Sequence, residues 1–320
     1  MPKPGPVAVI GAGLAGLSCA QALQAAGAEV CVFEKENRTG GRCATRLWQG
    51  HLVDYGVQYL TAQSSEFKRE LLTRLRQFRP LVAPILDPGG KVIHTDGGPR
   101  FYVLQGNNYF AHVLSRDLSI HLDTPVERIE FRDGAAVIGE QTFRAVVSAL
   151  PDPQTAEVFG LGEPAIEYSG CLCVVLEYNG LNVGDSENCY GRTLPSDGSS
   201  PLAASFCENH KSGRVLGEKT VFVLEATSAF SRTHAARAGD DCVPELARAH
   251  EDAWKIPSGR YTASFVHHWS YAFPRANDRK KLELPPGAFA CGDARTESKV
   301  EPVWLDGRRA ADEVMTYLKR

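Results

Sequence analysis

The sequence predicts an α/β fold: a Rossmann-like dinucleotide-binding domain with a mainly antiparallel β-plus-helix domain threaded through it. Three observations carry that prediction. Val7-Ala8-Val9-Ile10 is a short, unbroken apolar run that leads straight into Gly11-Ala12-Gly13-Leu14-Ala15-Gly16, as a buried parallel strand leads into a dinucleotide turn. Near the far end, Phe289-Ala290-Cys291-Gly292-Asp293 is a second short apolar run closing on glycine. Between them, residues 156–284 alternate in strand-like fashion, notably in CLCVVLEY and VFVLEATSAF, which predicts a separate sheet.

Within the first motif, Gly11 permits the tight turn, Gly13 lets the backbone approach a pyrophosphate, and Gly16 allows the helix to pack closely on the strand. The helix carries Leu17, Ala20 and Leu23 on one side and stops at Gly27, a C-cap signal. Its free N–H groups and positive dipole end suit phosphate. Residues 29–33 read as the second strand, with Glu34 at its end. A carboxylate there accepts both ribose hydroxyls of an adenosine and repels a 2′-phosphate. A lone GxGxxG is weak, but between a strand and a helix, with an acid about twenty residues on, it points to dinucleotide binding.

A second cluster, Gly40-Gly41-Arg42, follows that acid closely. Two glycines let the chain pass near an extended pyrophosphate, and the arginine adds positive charge beside it. The doublet resembles that of FAD proteins of the amine oxidase and glutathione reductase type. Asp54-Tyr55-Gly56-Val57-Gln58-Tyr59 resembles the segment beside the isoalloxazine ring in flavin amine oxidases, and Asp293 the aspartate that binds the ribityl or pyrophosphate region. In the last segment, Gly307, Ala310, Ala311, Val314 and Leu318 keep a helical rhythm. The start of that helix is expected near Val303–Leu305, where its N–H groups would face the flavin pyrimidine edge.

The intervening chain is expected to shuttle between two units. Residues 126–131, the Asp133-Gly134 turn signal and residues 135–138 read as an antiparallel ribbon. FRAVVSAL, residues 143–150, reads as a buried returning strand, and FKRELLTRLRQF as an amphipathic helix with a solvated face. Residues 1–62, 100–155 and 285–320 are expected to form the FAD-binding domain, and 63–99 and 156–284 the substrate domain, whose sheet roofs the flavin.

Composition narrows the function classes. The 320 residues are 43% hydrophobic and 23% charged, which suits one large or two interlocked domains. A net charge of −3 gives no electrostatic reason to expect nucleic acid. No apolar run approaches the roughly 18 residues that span a bilayer, and the first strand begins too early for a cleavable signal segment. Nine cysteines without CxxC spacing read as reduced thiols of a cytoplasmic protein, and the nine histidines show no metal spacing.

Further stretches sharpen the resemblance. ENHKSGR (208–214), VLEATSAFSR (223–232), HHWSYAFP (267–274) and CGDARTESKVEPVWLDGRRAA occur in the order seen in renalase-type flavoproteins, a branch of the flavin amine oxidase superfamily. That resemblance implies non-covalent FAD, hydride transfer from a small-molecule substrate to flavin N5, and reoxidation by O2 to H2O2. For renalases proper it implies isomeric dihydronicotinamides as substrates. It also implies FAD contacts at Gly11, Gly13, Leu14, Ala15, Gly16, Glu34, Lys35, Gly41, Arg42, Gly56, Val57, Gln58, Val126, Gly292, Asp293, Val303, Trp304 and Leu305. The candidates for the substrate face are Gln58, Tyr59, Asn209, His268, Trp269, Tyr271 and Trp304. The chain departs from the pattern at His268, where arginine is usual, at Ala294, where an aromatic is common, and at Asp306, where a small hydroxyl residue is usual.

A dihydropyridine donor needs little acid–base machinery, because hydride leaves directly and aromaticity returns. Two rivals share the scaffold: an amine oxidase or desaturase of another small substrate, for which no lysine can be assigned beside N5, and a non-catalytic FAD-binding redox protein. A second strand–GxGxxG–helix for NADPH is absent from the sequence, which disfavours a flavin monooxygenase.

Overall fold

The computed structural model describes residues 6–93, 98–181, 188–234, 240–275 and 282–320. Its first sheet has five parallel strands, in the order Ala288–Ala290, Ala145–Ser148, Val7–Ile10, Val30–Phe33 and Ser119–His121. Ile10 is in register with both Phe33 and Ser148, and Ser148 with Ala290. The first glycine turn, Glu34 and Gly292-Asp293 therefore leave the sheet along one edge, at the carboxyl ends of its strands. Ligands of open α/β sheets bind at that edge.

The first helix, Leu14–Ala25, ends two residues before Gly27, which adopts φ +87°. It packs against the last helix, Val300–Leu318. A Cβ on Gly307 would stand 2.2 Å from the Ala15 carbonyl oxygen, so only glycine permits this approach. The expected small-residue face holds: Gly307, Ala310, Ala311, Val314 and Leu318 are all buried.

Local boundaries shift where hydrogen bonding overrides pattern. The ribbon has three strands, Glu130–Arg132, Ala135–Ile138 and Gln141–Phe143, and Val126 lies before it in a loop. Asp133 and Gly134 both take positive φ, as a tight two-residue hairpin requires. FKRELLTRLRQF is helical only through Arg74, since the helix is Ser65–Arg74, capped by Ser64 accepting from the Phe67 N–H. Phe78 then opens a strand, Phe78–Pro80. VFVLEATSAF stops being a strand at Ala226, and Ser228–His234 is a helix. Thr227 starts that helix, its Oγ1 accepting from the Phe230 N–H at 3.2 Å.

The second sheet has six strands, in the order Tyr261–Pro274, Tyr168–Asn179, Lys219–Ala226, Leu202–Cys207, Gly191–Thr193 and Ile85–Leu86. Every pair is antiparallel except the last. Its alternation separates two faces. Leu172, Val174, Leu176, Phe222 and Leu224 pack with Val243, Leu246 and Trp254 of the helix Val243–Trp254. Cys173, Val175, Val221 and Val223 pack the other way, against Ala44, Val53 and Tyr55. We call the latter the inner face.

Candidate cofactor and substrate site

The two glycine clusters lie side by side. The Gly40 N–H donates to the Ala12 carbonyl at 2.8 Å, and Gly13 and Gly40 form a parallel bridge. A Cβ on Gly41 would come within 3.4 Å of the Gly13 Cα. Gly40 and Gly41 take φ +117° and +54°, values that L side chains rarely adopt. Gly16 is required by the fold itself, because a Cβ there would meet the Gly11 oxygen at 2.0 Å. Gly13 is different. Its φ is −72°, and a Cβ there would meet nothing within 4 Å. Protein packing gives no reason for glycine at this position, whereas a ligand backbone passing over it does. Leu14 and Ala15 open the helix, which has no side-chain cap over its first N–H groups.

Glu34 is nearly buried and braces this loop. Its Oε2 accepts from the Ala12 N–H at 2.7 Å and its Oε1 from the Glu36 N–H at 3.0 Å. A carboxylate has about four acceptor positions, so about two remain for hydroxyl donors. Lys35 is exposed and lies 3.7 Å from Glu36. Val126 packs partly buried with the core beside Phe33, and the nearby Thr124 N–H donates to the Glu34 carbonyl.

Arg42 and Asp293, 251 residues apart, meet in a two-pronged ion pair at 2.5 and 2.8 Å. The hydroxyls of Tyr168 and Ser298 donate to the same carboxylate at 2.8 and 2.9 Å. Burial works against the charge of Asp293, but Arg42 above all outweighs it and holds the carboxyl below its ordinary range. The Gly292 N–H donates to Asp306, which also pairs with Arg309. Asp306, unusual for the pattern in sequence, thus fixes the glycine turn that presents Asp293.

Asp54-Tyr55-Gly56-Val57-Gln58 is clamped from below. Asp54 accepts from Lys211 and Arg214 at 2.9 Å each, from Thr45 at 2.6 Å and from the Asn107 N–H at 3.0 Å. Lys211 also pairs with Glu208 at 2.6 Å, and the side chains of Asp54, Glu208, Lys211 and Arg214 are all 0% exposed. Burial opposes the charge of Asp54, and Lys211 and Arg214 more than offset it, so its carboxyl stays below the usual range. The ENHKSGR segment therefore holds the loop in place. A Cβ on Gly56 would meet the Arg42 carbonyl oxygen at 2.0 Å, and the Val57 N–H bonds that same oxygen. The Gln58 amide is spent internally, donating to the Asp54 and Gly56 carbonyls and accepting from the Tyr190 hydroxyl.

Above this loop stands an aromatic group. Tyr55 stacks on Trp269 with centroids 5.5 Å apart and meets His267 edge-on at 5.0 Å. The Trp269 indole donates to the Tyr55 carbonyl, and Arg38 donates to the Tyr55 hydroxyl. Tyr271 packs on Tyr168 at 6.2 Å, and Tyr59 lies between Tyr190 and Arg100.

Comparison with known proteins agrees with this geometry. Residues 9–75 match the model of an NAD(P)-binding Rossmann-like domain. A redesigned putrescine oxidase superposes with a TM-score of 0.77 at 12% identity, covering 98% of this chain and 99% of that one. The chain shares the fold of that oxidase. Reduced UDP-galactopyranose mutase also superposes, with a TM-score of 0.76 at 10% identity, over 98% and 96% of the two chains. In sequence, a phytoene desaturase of Cercospora nicotianae is 34% identical over 128 residues, 39% of this chain and 18% of that protein. The chain thus spans under a fifth of that relative's length.

Within this fold, several expected substrate residues do not converge. His268 pairs with Leu172, and Trp269 with Cys171. Strand alternation places His268 on the helix-covered face, away from Trp269 and His267. Asn209 is exposed, donates to the Lys219 carbonyl and accepts from the Val221 N–H. Val221 pairs with Glu177, six residues along the strand from Cys171, so Asn209 lies about 20 Å from the Trp269 end. Trp304 is 1% exposed, packed in the core against Phe67. The reason is the helix start: Val300 is the first residue, and the Val303 N–H already bonds the Lys299 carbonyl. Val303 closes the first turn and Trp304 and Leu305 lie beyond it, whereas the open N–H groups of that turn belong to Val300 and Glu301. The carboxylate of Glu301 ties that start to the Gln63 and Ser64 N–H groups.

Sequence reasoning missed Tyr55, His267, Arg38, Tyr168 and Ser298 as members of this site. Tyr55 and His267 had a signal, since each neighbours a residue already singled out. Among the described residues no helix is long and apolar enough to cross a membrane, and no group of three or more His, Cys, Asp or Glu could hold a metal ion.

Proposed function

We propose that this chain is an FAD-dependent oxidoreductase that oxidises a small molecule by hydride transfer. One observation carries the reading: paired glycine loops, the ribose-type acid Glu34 and the Arg42–Asp293 pair share the carboxyl edge of one parallel sheet. Gly13 and Gly41 leave room for a pyrophosphate, and Glu34 retains acceptor positions for ribose hydroxyls. Arg42 and Asp293 serve the pyrophosphate and ribityl region. Bound FAD supplies a two-electron acceptor for hydride. On this reading Tyr55 and Trp269 wall the site, excluding water and offering faces on which a planar donor stacks.

The finer reading is a renalase-like oxidase: isomeric dihydronicotinamides are the donors, O2 is the acceptor and H2O2 the product. The chain-long resemblance supports it, as does an aromatic wall that orients a ring without an obvious base. Orientation is what direct hydride transfer mainly needs. Anaerobic stopped-flow tests it. Dihydronicotinamides carrying hydride at a position other than C4 are expected to bleach the bound flavin faster than NAD(P)H or simple amines. A faster response to an amine would remove the renalase reading and leave the FAD oxidoreductase intact.

A further inference from the structure

The inner face of the six-stranded sheet carries a carboxylate that the reading above leaves without a task. Glu225 shares strand parity with Val221 and Val223, which pack toward Tyr55. It is in register with Cys173, and Cys173 with His267. Glu225 and the aromatic wall therefore lie in one cross-strand row, about 10 Å apart at the usual spacing of neighbouring strands. Asp54, Glu177 and Asp293 are all ion-paired. The carboxylate of half-buried Glu225 has no hydrogen-bond or ion-pair partner among the described residues.

An unpaired carboxylate on this half-buried face is costly unless something brings it a positive charge. The donors considered for this site do so only as they react. When the donor C–H bond breaks heterolytically, both electrons leave with the hydrogen as hydride to the FAD acceptor. The donor keeps one positive charge, spread onto the nitrogen of a pyridinium or an iminium. Resting on the FAD-oxidoreductase reading, we propose that Glu225 pairs with this cation, so that the site selects neutral donors whose oxidised forms are cationic. Its charge is set where positive charge develops, which favours the hydride-transfer transition state over the neutral ground state. No proton moves at Glu225 in this step.

The surroundings give the proposal a pH signature. The titratable groups facing Glu225 are the thiols of Cys171 and Cys173, the phenol of Tyr59 and, further along the row, the imidazole of His267. Burial raises both thiols and Tyr59 and lowers His267, so all are neutral near pH 7. The cations Arg100 and Lys299 act on Tyr59, Arg100 from over its ring, and the buried carboxylate of Glu208 acts on Cys173, while burial is the cause at Glu225 itself. Burial pushes the Glu225 carboxyl up to about 7. Above that pH it is charged and attracts a cation; below it, it is neutral.

Isothermal titration of the purified chain with N-methylnicotinamide cation, and with neutral nicotinamide as control, tests this directly. Wild-type affinity for the cation is expected to rise about tenfold between pH 6 and pH 8, following the ionised fraction. Glu225→Gln is expected to bind the cation weakly and without pH dependence, Glu225→Asp to restore the pH dependence, and nicotinamide affinity to stay level throughout. A wild-type affinity independent of pH, or equal cation affinity in Glu225→Gln, would overturn the proposal. Flavin content measured on the same samples reports separately on the FAD reading, because the titration needs no flavin signal.

Discussion

Asp54→Ala is expected to destabilise the chain by about 3–5 kcal/mol, the cost of leaving buried charge uncompensated. Asp54 faces Lys211 and Arg214 together, all three side chains fully excluded from water. Removing it leaves two cations against Glu208 alone. It also frees the Thr45 hydroxyl and the Asn107 N–H, which both bond Asp54. The damage extends to the site, because Asp54 anchors the loop that carries Tyr55, Gly56 and Gln58. Urea unfolding of the variant measures the loss. A change below about 1 kcal/mol, the worth of an exposed pair, would mean that water reaches the cluster and that ENHKSGR does not clamp the loop.

Glu34→Ala is expected to weaken FAD binding by about 10- to 100-fold, since a charge-assisted hydrogen bond contributes roughly 1.5–3 kcal/mol. The structure adds a second route to the same loss. Glu34 accepts from the Ala12 N–H inside the first glycine cluster, and without it that turn loses its brace. Glu34→Gln separates the two routes: it keeps an oxygen for Ala12 but removes the charge, so an intermediate affinity is expected. Titration of apoprotein with FAD reads all three. Equal affinity in wild type and Glu34→Ala would place the ribose elsewhere.

The parallel sheet and its edge were legible in the sequence because each signal was local. Val7–Ile10, the glycine turn, Glu34 and the run before Gly292 each depend on a few neighbouring residues, and short apolar strands leave little freedom for alternatives. The small-residue face of the last helix was legible for the same reason. What failed depended on long-range register. His268 and Trp269 are neighbours in sequence, and only the pairing of their strand with Tyr168–Asn179 decides which one faces inward. Asn209 was misplaced because its hairpin returns at the opposite end of the sheet. Trp304 was misplaced by a three-residue error in the helix start, enough to turn a side chain from cleft to core. Glu225 was not legible in the sequence, because its inward position and its lack of a partner among the described residues both depend on strand register.

The most direct test of the central claim is the chromophore of the purified protein. Heat denaturation followed by chromatography is expected to release FAD, close to one per chain after reconstitution, with neither FMN nor NAD in its place. A colourless chain that cannot be reconstituted with FAD would contradict the account.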